Sequence, residues 1–201
     1  MGKLFVIDGT DGSGKQTQFE LLKKHLTEDG IEYRTVSFPN YDSPSSSLVK
    51  MYLSGEFGEN AKEVSPYVAS TFYAADRYTT ANMVHQAGKI SDEKERNEFL
   101  EWVWDFEINL FGLPEPTEVF FLNMPPKKSL ELMKNRENKF SHTDVKDIHE
   151  RNPEHIIESY NAACGVAKKY NWHEIHCIKN DEIRTIEDIH EEIYQEVKKY
   201  I

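Results

Sequence analysis

The stretch Leu4-Phe5-Val6-Ile7-Asp8-Gly9-Thr10-Asp11-Gly12-Ser13-Gly14-Lys15-Gln16-Thr17-Gln18 decides the fold. Leu4 to Ile7 is a short apolar run, the signature of a buried strand. Gly9, Gly12 and Gly14 follow, then Lys15 and a series of helix-forming residues. Glycines at this spacing let successive backbone N–H groups curl around an anion, and the start of the next helix adds partial positive charge. Lys15 supplies a mobile point charge suited to the outer phosphates of a nucleotide. Strand, loop and helix in this order form a phosphate-binding loop. The pattern G-x-x-x-x-G-K-[ST] places a hydroxyl after the lysine, to sit on Mg²⁺. Here that position is Gln16, and Thr17 comes one residue later.

Outward from the loop, 201 residues suit one compact α/β domain with a substantial core. A formal charge of −11 argues against nucleic acid or an anionic membrane as the main partner. Phosphate binding must then come from local basic groups and backbone N–H. Cys164 and Cys177 resemble neither a disulfide framework nor a zinc site, and are expected reduced and half-buried, as in a cytosolic protein. No apolar run reaches transmembrane length, and the first strand begins almost at once, so neither a span nor a signal peptide is expected.

A helix is expected from about Gly14 to Leu26, ended by Asp29-Gly30, and Tyr33 to Phe38 alternates like a second strand. Strand, helix and strand at this length form a βαβ unit, so the sheet should be parallel. Phe38-Pro39-Asn40-Tyr41-Asp42-Ser43-Pro44 then lies at the carboxyl edge, where open parallel sheets bind ligands, though its residues also suit a plain turn. Ser65-Pro66 starts a helix that nothing interrupts from Tyr67 to Ala87. Ser91 caps another, with Phe99, Val103, Phe106 and Leu110 on one stripe. Further strands are expected at Glu118 to Asn123 and His173 to Ile178, with helices after each. Residues 134–152 are polar, basic in patches and without apolar periodicity. Such a run is commonly a solvated loop, but beside a phosphate loop it can be a lid. Strand alternation separates His176 from His173 and Cys177, against a shared metal.

The phosphate loop, Phe38-Pro39, Tyr73-Ala74-Ala75-Asp76-Arg77 and Asp76-Arg77-Tyr78-Thr79-Thr80-Ala81-Asn82 together resemble thymidylate kinases, P-loop nucleoside monophosphate kinases, over most of the chain. The resemblance implies a three-layer P-loop kinase fold, a central parallel sheet flanked by helices, as one domain over residues 1–201 with a lid at about 134–152. It implies transfer of the terminal phosphoryl group of ATP to dTMP, with Mg²⁺, by a cytoplasmic homodimer. Gly9, Thr10, Asp11, Gly12, Ser13, Gly14, Lys15, Gln16 and Thr17 would hold ATP, and Asp11 the metal and the acceptor nucleotide. Phe38, Pro39, Tyr73, Arg77, Asn82, His85 and Gln86 would bind dTMP, with Tyr73 on the base and Arg77 on the phosphate. Gly12 stands where some members carry a catalytic arginine, which shifts that role to the lid, with Arg136, Lys139, Lys146 and Arg151 as candidates. Asp11, Lys15, Arg77 and Arg136 form the expected catalytic set. A kinase for another nucleoside or nucleotide, and a nucleotide-binding module impaired in catalysis, are the alternatives.

One departure is large. The family pattern ends a helix at Ala-Ala-Asp-Arg, then adds a helix and a central strand that ends in a second Asp-Arg-Tyr. Here a single Asp76-Arg77-Tyr78 serves both, so one helix and one strand, on the order of twenty residues, are expected to be missing after Tyr78.

Overall fold

The computed structural model describes residues 2–38, 40, 42–58, 60, 63–133 and 153–201, with the backbone alone for 153–155. Along the chain run β1 (Phe5–Asp8), α1 (Lys15–Glu28), α2 (Ser47–Ser54), α3 (Pro66–Ala74), α4 (Thr79–Ala87), α5 (Glu93–Trp104), β2 (Glu118–Asn123), α6 (Pro126–Met133), α7 (Pro153–Lys169), β3 (His173–His176), β4 (Ile178–Lys179), β5 (Glu182–Ile183) and α8 (Ile186–Val197). They fall into two compact units.

The first unit comprises residues 1–36, 114–133 and 167–201. Its centre is a parallel sheet in the order β1-β2-β3, with Phe5 opposite Glu118 and Phe120 opposite His173. The middle strand β2 is apolar on both faces, as expected of a strand covered on both sides. Leu22 and Leu26 of α1 and Ile189, Ile193 and Val197 of α8 close over Phe120, Leu122 and Ile175. Helical spacing produces both stripes: positions three and four apart share a face. Asp8 ends β1 and Gly14 caps α1, so the intervening loop is held by a strand at one end and a helix at the other.

The second strand expected at Tyr33 to Phe38 does not form. Residues 31–37 have no regular structure, and Val36 is 71% exposed. The reason is pairing: an extended segment is stable only where a neighbour satisfies its backbone groups. Among the described residues β1 pairs with β2 alone, and no strand follows Tyr78 before β2. The alternating segment thus lacks the neighbour that would have made it a strand.

The second unit comprises residues 37–113 and 134–166. Val49, Tyr52, Leu53, Val64, Ala69 and Tyr73 form its core cluster. Two expectations are corrected here. The helix expected unbroken from Tyr67 to Ala87 is two helices, α3 and α4, separated by a turn at residues 75–78. Arg77 N–H donates to Tyr73 O at 2.7 Å, Tyr78 is extended, and its carbonyl accepts from Ala81 N–H at 3.1 Å. A hydrogen bond from the Ser46 hydroxyl to buried Asp76 fixes the turn from thirty residues away. This short turn stands where the family pattern has a helix and a strand.

The second correction concerns α5. At Asp105–Leu110 the helix changes to π winding, which inserts one residue per turn. The buried stripe of Phe99, Leu100 and Val103 continues to Glu107, four residues after Val103 and fully buried, while the change in winding carries Leu110 off it to 72% exposure.

Candidate functional site

The phosphate loop is built by close approach. Gly12 has φ 76° and Gly14 has φ 92°, left-handed values that side chains resist. A Cβ at Gly12 would lie 2.8 Å from the Ser129 carbonyl oxygen of α6 and 2.8 Å from Met133 Cγ. Position 12 therefore has no room for a side chain. Gly14 precedes α1 with no side chain capping the helix, so the first-turn N–H groups of Lys15, Gln16 and Thr17 have no intrahelical acceptor and can meet an anion.

Lys15 Nζ donates to Gly9 O at 2.6 Å and to Thr10 O at 3.0 Å, so the ammonium lies back over the loop. The hydroxyls of Thr10 and Ser13 are buried and find no partner among the described residues. Orphaned hydroxyls beside an ammonium and free N–H groups fit a bound polyphosphate and its cation. Asp11 is exposed at the loop's tip, a hard oxygen donor suited to Mg²⁺. Gln16 is different: its amide donates to Glu20 at 3.0 Å along the exposed side of α1, and Thr17 is also exposed. Asp8 escaped the sequence reading. It is buried, and its carboxylate accepts from Gly9 N–H at 2.7 Å, tying down the first peptide of the loop. The signal was a carboxylate closing an otherwise apolar strand.

In the second unit, Tyr73 and Arg77 are four residues apart and meet: the guanidinium carbon lies 4.6 Å from the ring centroid. Tyr73 is fully buried and edge-on to Tyr52. Asn82 and Gln86 share a buried face of α4. Asn82 Nδ2 donates to Ser70 O at 3.2 Å and to Glu107 Oε1 at 2.6 Å. Asn82 Oδ1 and both ends of the Gln86 amide are buried without a partner among the described residues. Burial pushes the Glu107 carboxyl above its ordinary range, an effect opposed by hydrogen bonds with Asn82 and Thr79. Glu107 too was missed, because a stripe sought among apolar residues passes over a carboxylate even four residues after Val103. His85 is half-buried, Phe38 is half-exposed, and Pro39 and Arg136 lie outside the described residues, as does the expected lid at 134–152.

Lys89, just past α4, donates from Nζ to the Tyr52 hydroxyl at 2.8 Å, and burial lowers its pKa to about 7. No group of three His, Cys, Asp or Glu residues able to hold a metal occurs among the described residues. No helix among them is long and apolar enough to cross a membrane.

With this geometry in place, comparison with known proteins is informative. The thymidylate kinase family model matches residues 7–91, from β1 through the phosphate loop to the end of α4. The thymidylate kinase of Plasmodium falciparum is 28% identical over 216 residues, covering 98% of this chain and 90% of its own. A probable thymidylate kinase of Thermococcus gammatolerans is 27% identical over 219 residues, covering 100% of this chain and 98% of its own. That 219-position alignment spans a chain of 201 residues, so at least 18 positions face gaps in this chain. Among solved structures, deoxyadenosine kinase from M. mycoides with bound dATP superposes with a TM-score of 0.63 at 13% identity, covering 96% of this chain and 98% of its own, and so shares the fold. Loop, fold and relatives point the same way: the chain is similar to thymidylate kinases, to their family model over residues 7–91 and to individual members over nearly its whole length.

Proposed function

We propose that this protein transfers the terminal phosphoryl group of ATP to dTMP, giving dTDP and ADP. The observation that carries the reading is the loop Gly9–Lys15, with its left-handed glycines, orphaned hydroxyls and back-folded lysine, inside a span that matches thymidylate kinases. A phosphate oxygen of dTMP attacks the γ-phosphorus, and the bond to the β,γ-bridging oxygen breaks. Catalysis of this step is mainly positioning and neutralisation of charge. The first-turn N–H groups of α1 and the hydroxyls of Thr10 and Ser13 hold the ATP phosphates. Lys15 exchanges the Gly9 and Thr10 carbonyls for phosphate oxygens. Asp11 would hold Mg²⁺, which when bound would supply neutralisation of phosphate charge. Gln16 contributes through its backbone N–H, its side chain being bonded to Glu20.

On the acceptor side, Arg77 binds the dTMP phosphate and Tyr73 packs on the base, with Phe38, Pro39, Asn82, His85 and Gln86 around it. Since position 12 has no space for an arginine, the lid at 134–152 provides it, with Arg136 the first candidate. In this reading residues 1–201 act as one cytoplasmic kinase domain that works as a homodimer on two small molecules, without nucleic acid or membrane partners.

A specific observation favours a second reading, a nucleotide-binding module with little turnover: the turn at residues 75–78 replaces the helix and strand of the family pattern. A coupled assay with ATP and dTMP, dUMP, dCMP or thymidine tests the first reading, which requires preference for dTMP. Normal ATP binding with equal, negligible turnover in wild type and Lys15→Ala would establish the second.

A further inference from the structure

An asparagine amide carries two donors on Nδ2 and an acceptor on Oδ1. Both donors of Asn82 are committed, one to the Ser70 carbonyl at 3.2 Å and one to Glu107 Oε1 at 2.6 Å. Turned over, the amide would set its oxygen against a carbonyl and a carboxylate, two acceptors. Chemistry therefore selects the orientation. Asn82 Oδ1 is left as a buried acceptor with no partner among the described residues, and whatever completes it must be a donor. Four residues along α4, the Gln86 amide is buried with both ends equally unpartnered among those residues, a second polar group prepared for something other than the protein.

We propose that Glu107 is a positioning residue for base choice: by accepting from Asn82 Nδ2 it locks the amide with its oxygen toward the base, selecting pyrimidines that carry an N3–H. Thymine and uracil have that donor. Cytosine presents an unprotonated N3 acceptor and meets a second acceptor in Oδ1. Glu107 reaches Asn82 because it lies four residues after Val103 on the buried side, where the π winding over Asp105–Leu110 keeps it while Leu110 turns outward. The inference rests on the dTMP kinase reading and adds to it the residue that sets the polarity of the reading group.

The test measures calorimetric affinities of the full chain for dTMP and dCMP, with ATP binding and thermal unfolding as controls. Glu107→Leu removes the closer of the two acceptors that orient the amide, leaving only the Ser70 carbonyl at 3.2 Å against its turning. The preference for dTMP over dCMP should fall roughly tenfold or more while ATP affinity holds. Glu107→Gln keeps a carbonyl acceptor and should stay within about threefold of wild type. A cooperatively folded Glu107→Leu with the wild-type preference, or Glu107→Gln losing as much as Glu107→Leu, overturns the proposal. Should Glu107→Leu not fold, wild type with N3-methyl-dTMP decides. Binding weaker than dTMP by roughly tenfold supports an acceptor at the base, and equal binding overturns it. Wild type that does not prefer dTMP to dCMP overturns the dTMP kinase reading, and this inference with it.

Discussion

Alanine at Gly12 and at Gly14 should separate two costs that the loop combines. Both glycines have left-handed φ, 76° and 92°. An L-residue there loses about 1–2 kcal/mol, partly offset by about 0.4–1 kcal/mol from the less flexible unfolded chain. At Gly14 a new methyl group enters open space, so Gly14→Ala should lose about 0–1.6 kcal/mol. At Gly12 the methyl would lie 2.8 Å from the Ser129 carbonyl oxygen and 2.8 Å from Met133 Cγ. The methionine end can swing away, but the helix carbonyl cannot. Overpacking of this kind adds about 1–3 kcal/mol, so Gly12→Ala should lose about 1–4.6 kcal/mol, more than Gly14→Ala by the overpacking alone. Urea unfolding monitored by circular dichroism measures both, and calorimetry with ATP reports the loop. Equal stability of the two variants within about 0.5 kcal/mol would refute the close packing of the loop on α6.

Three further outcomes are expected. Burial holds the folded-state pKa of Lys89 at about 7, against an ordinary lysine value of 10.5, so between these values the unfolded chain binds a proton that the folded chain does not, and stability rises with pH. Lys89→Met should flatten that rise between about pH 7 and 9.5, as read by urea titrations at several pH values, and an unchanged slope would place its source elsewhere. Gln86→Met should stabilise the protein by about 1–3 kcal/mol, since it replaces a fully buried amide with no partner among the described residues, and should weaken dTMP binding; a destabilised variant would mean that the amide is satisfied. Arg136→Ala should lower kcat far more than it weakens dTMP binding, and a change confined to KM would remove Arg136 from the transition state.

What could be read in the chain before folding was local. Leu4 to Ile7 and Glu118 to Asn123 are apolar runs that only a covered strand explains, and both are strands. The glycine spacing before Lys15 likewise implied the loop. What escaped depends on distant partners. Tyr33 to Phe38 alternates like a strand, yet no strand among the described residues stands where it would pair. The break between α3 and α4 is fixed by Ser46 reaching Asp76, a contact that periodicity cannot see. Glu107 lies four residues after Val103 on the buried face, but a stripe sought among apolar residues passes over it; Leu110 is exposed because π winding carries it off the face that a count of 3.6 residues per turn assigns it. The departure after Tyr78 was legible for the opposite reason: a motif that the resemblance leads one to expect twice occurs once.

The central claim is phosphoryl transfer from ATP to dTMP on the loop Gly9–Lys15. Its most direct test is formation of ADP and dTDP by the full chain with ATP, Mg²⁺ and either dTMP, dUMP, dCMP or thymidine, beside Lys15→Ala. The account predicts dTDP as the favoured product and its loss in Lys15→Ala. Turnover without preference for dTMP, or the same turnover in Lys15→Ala as in wild type, would contradict it.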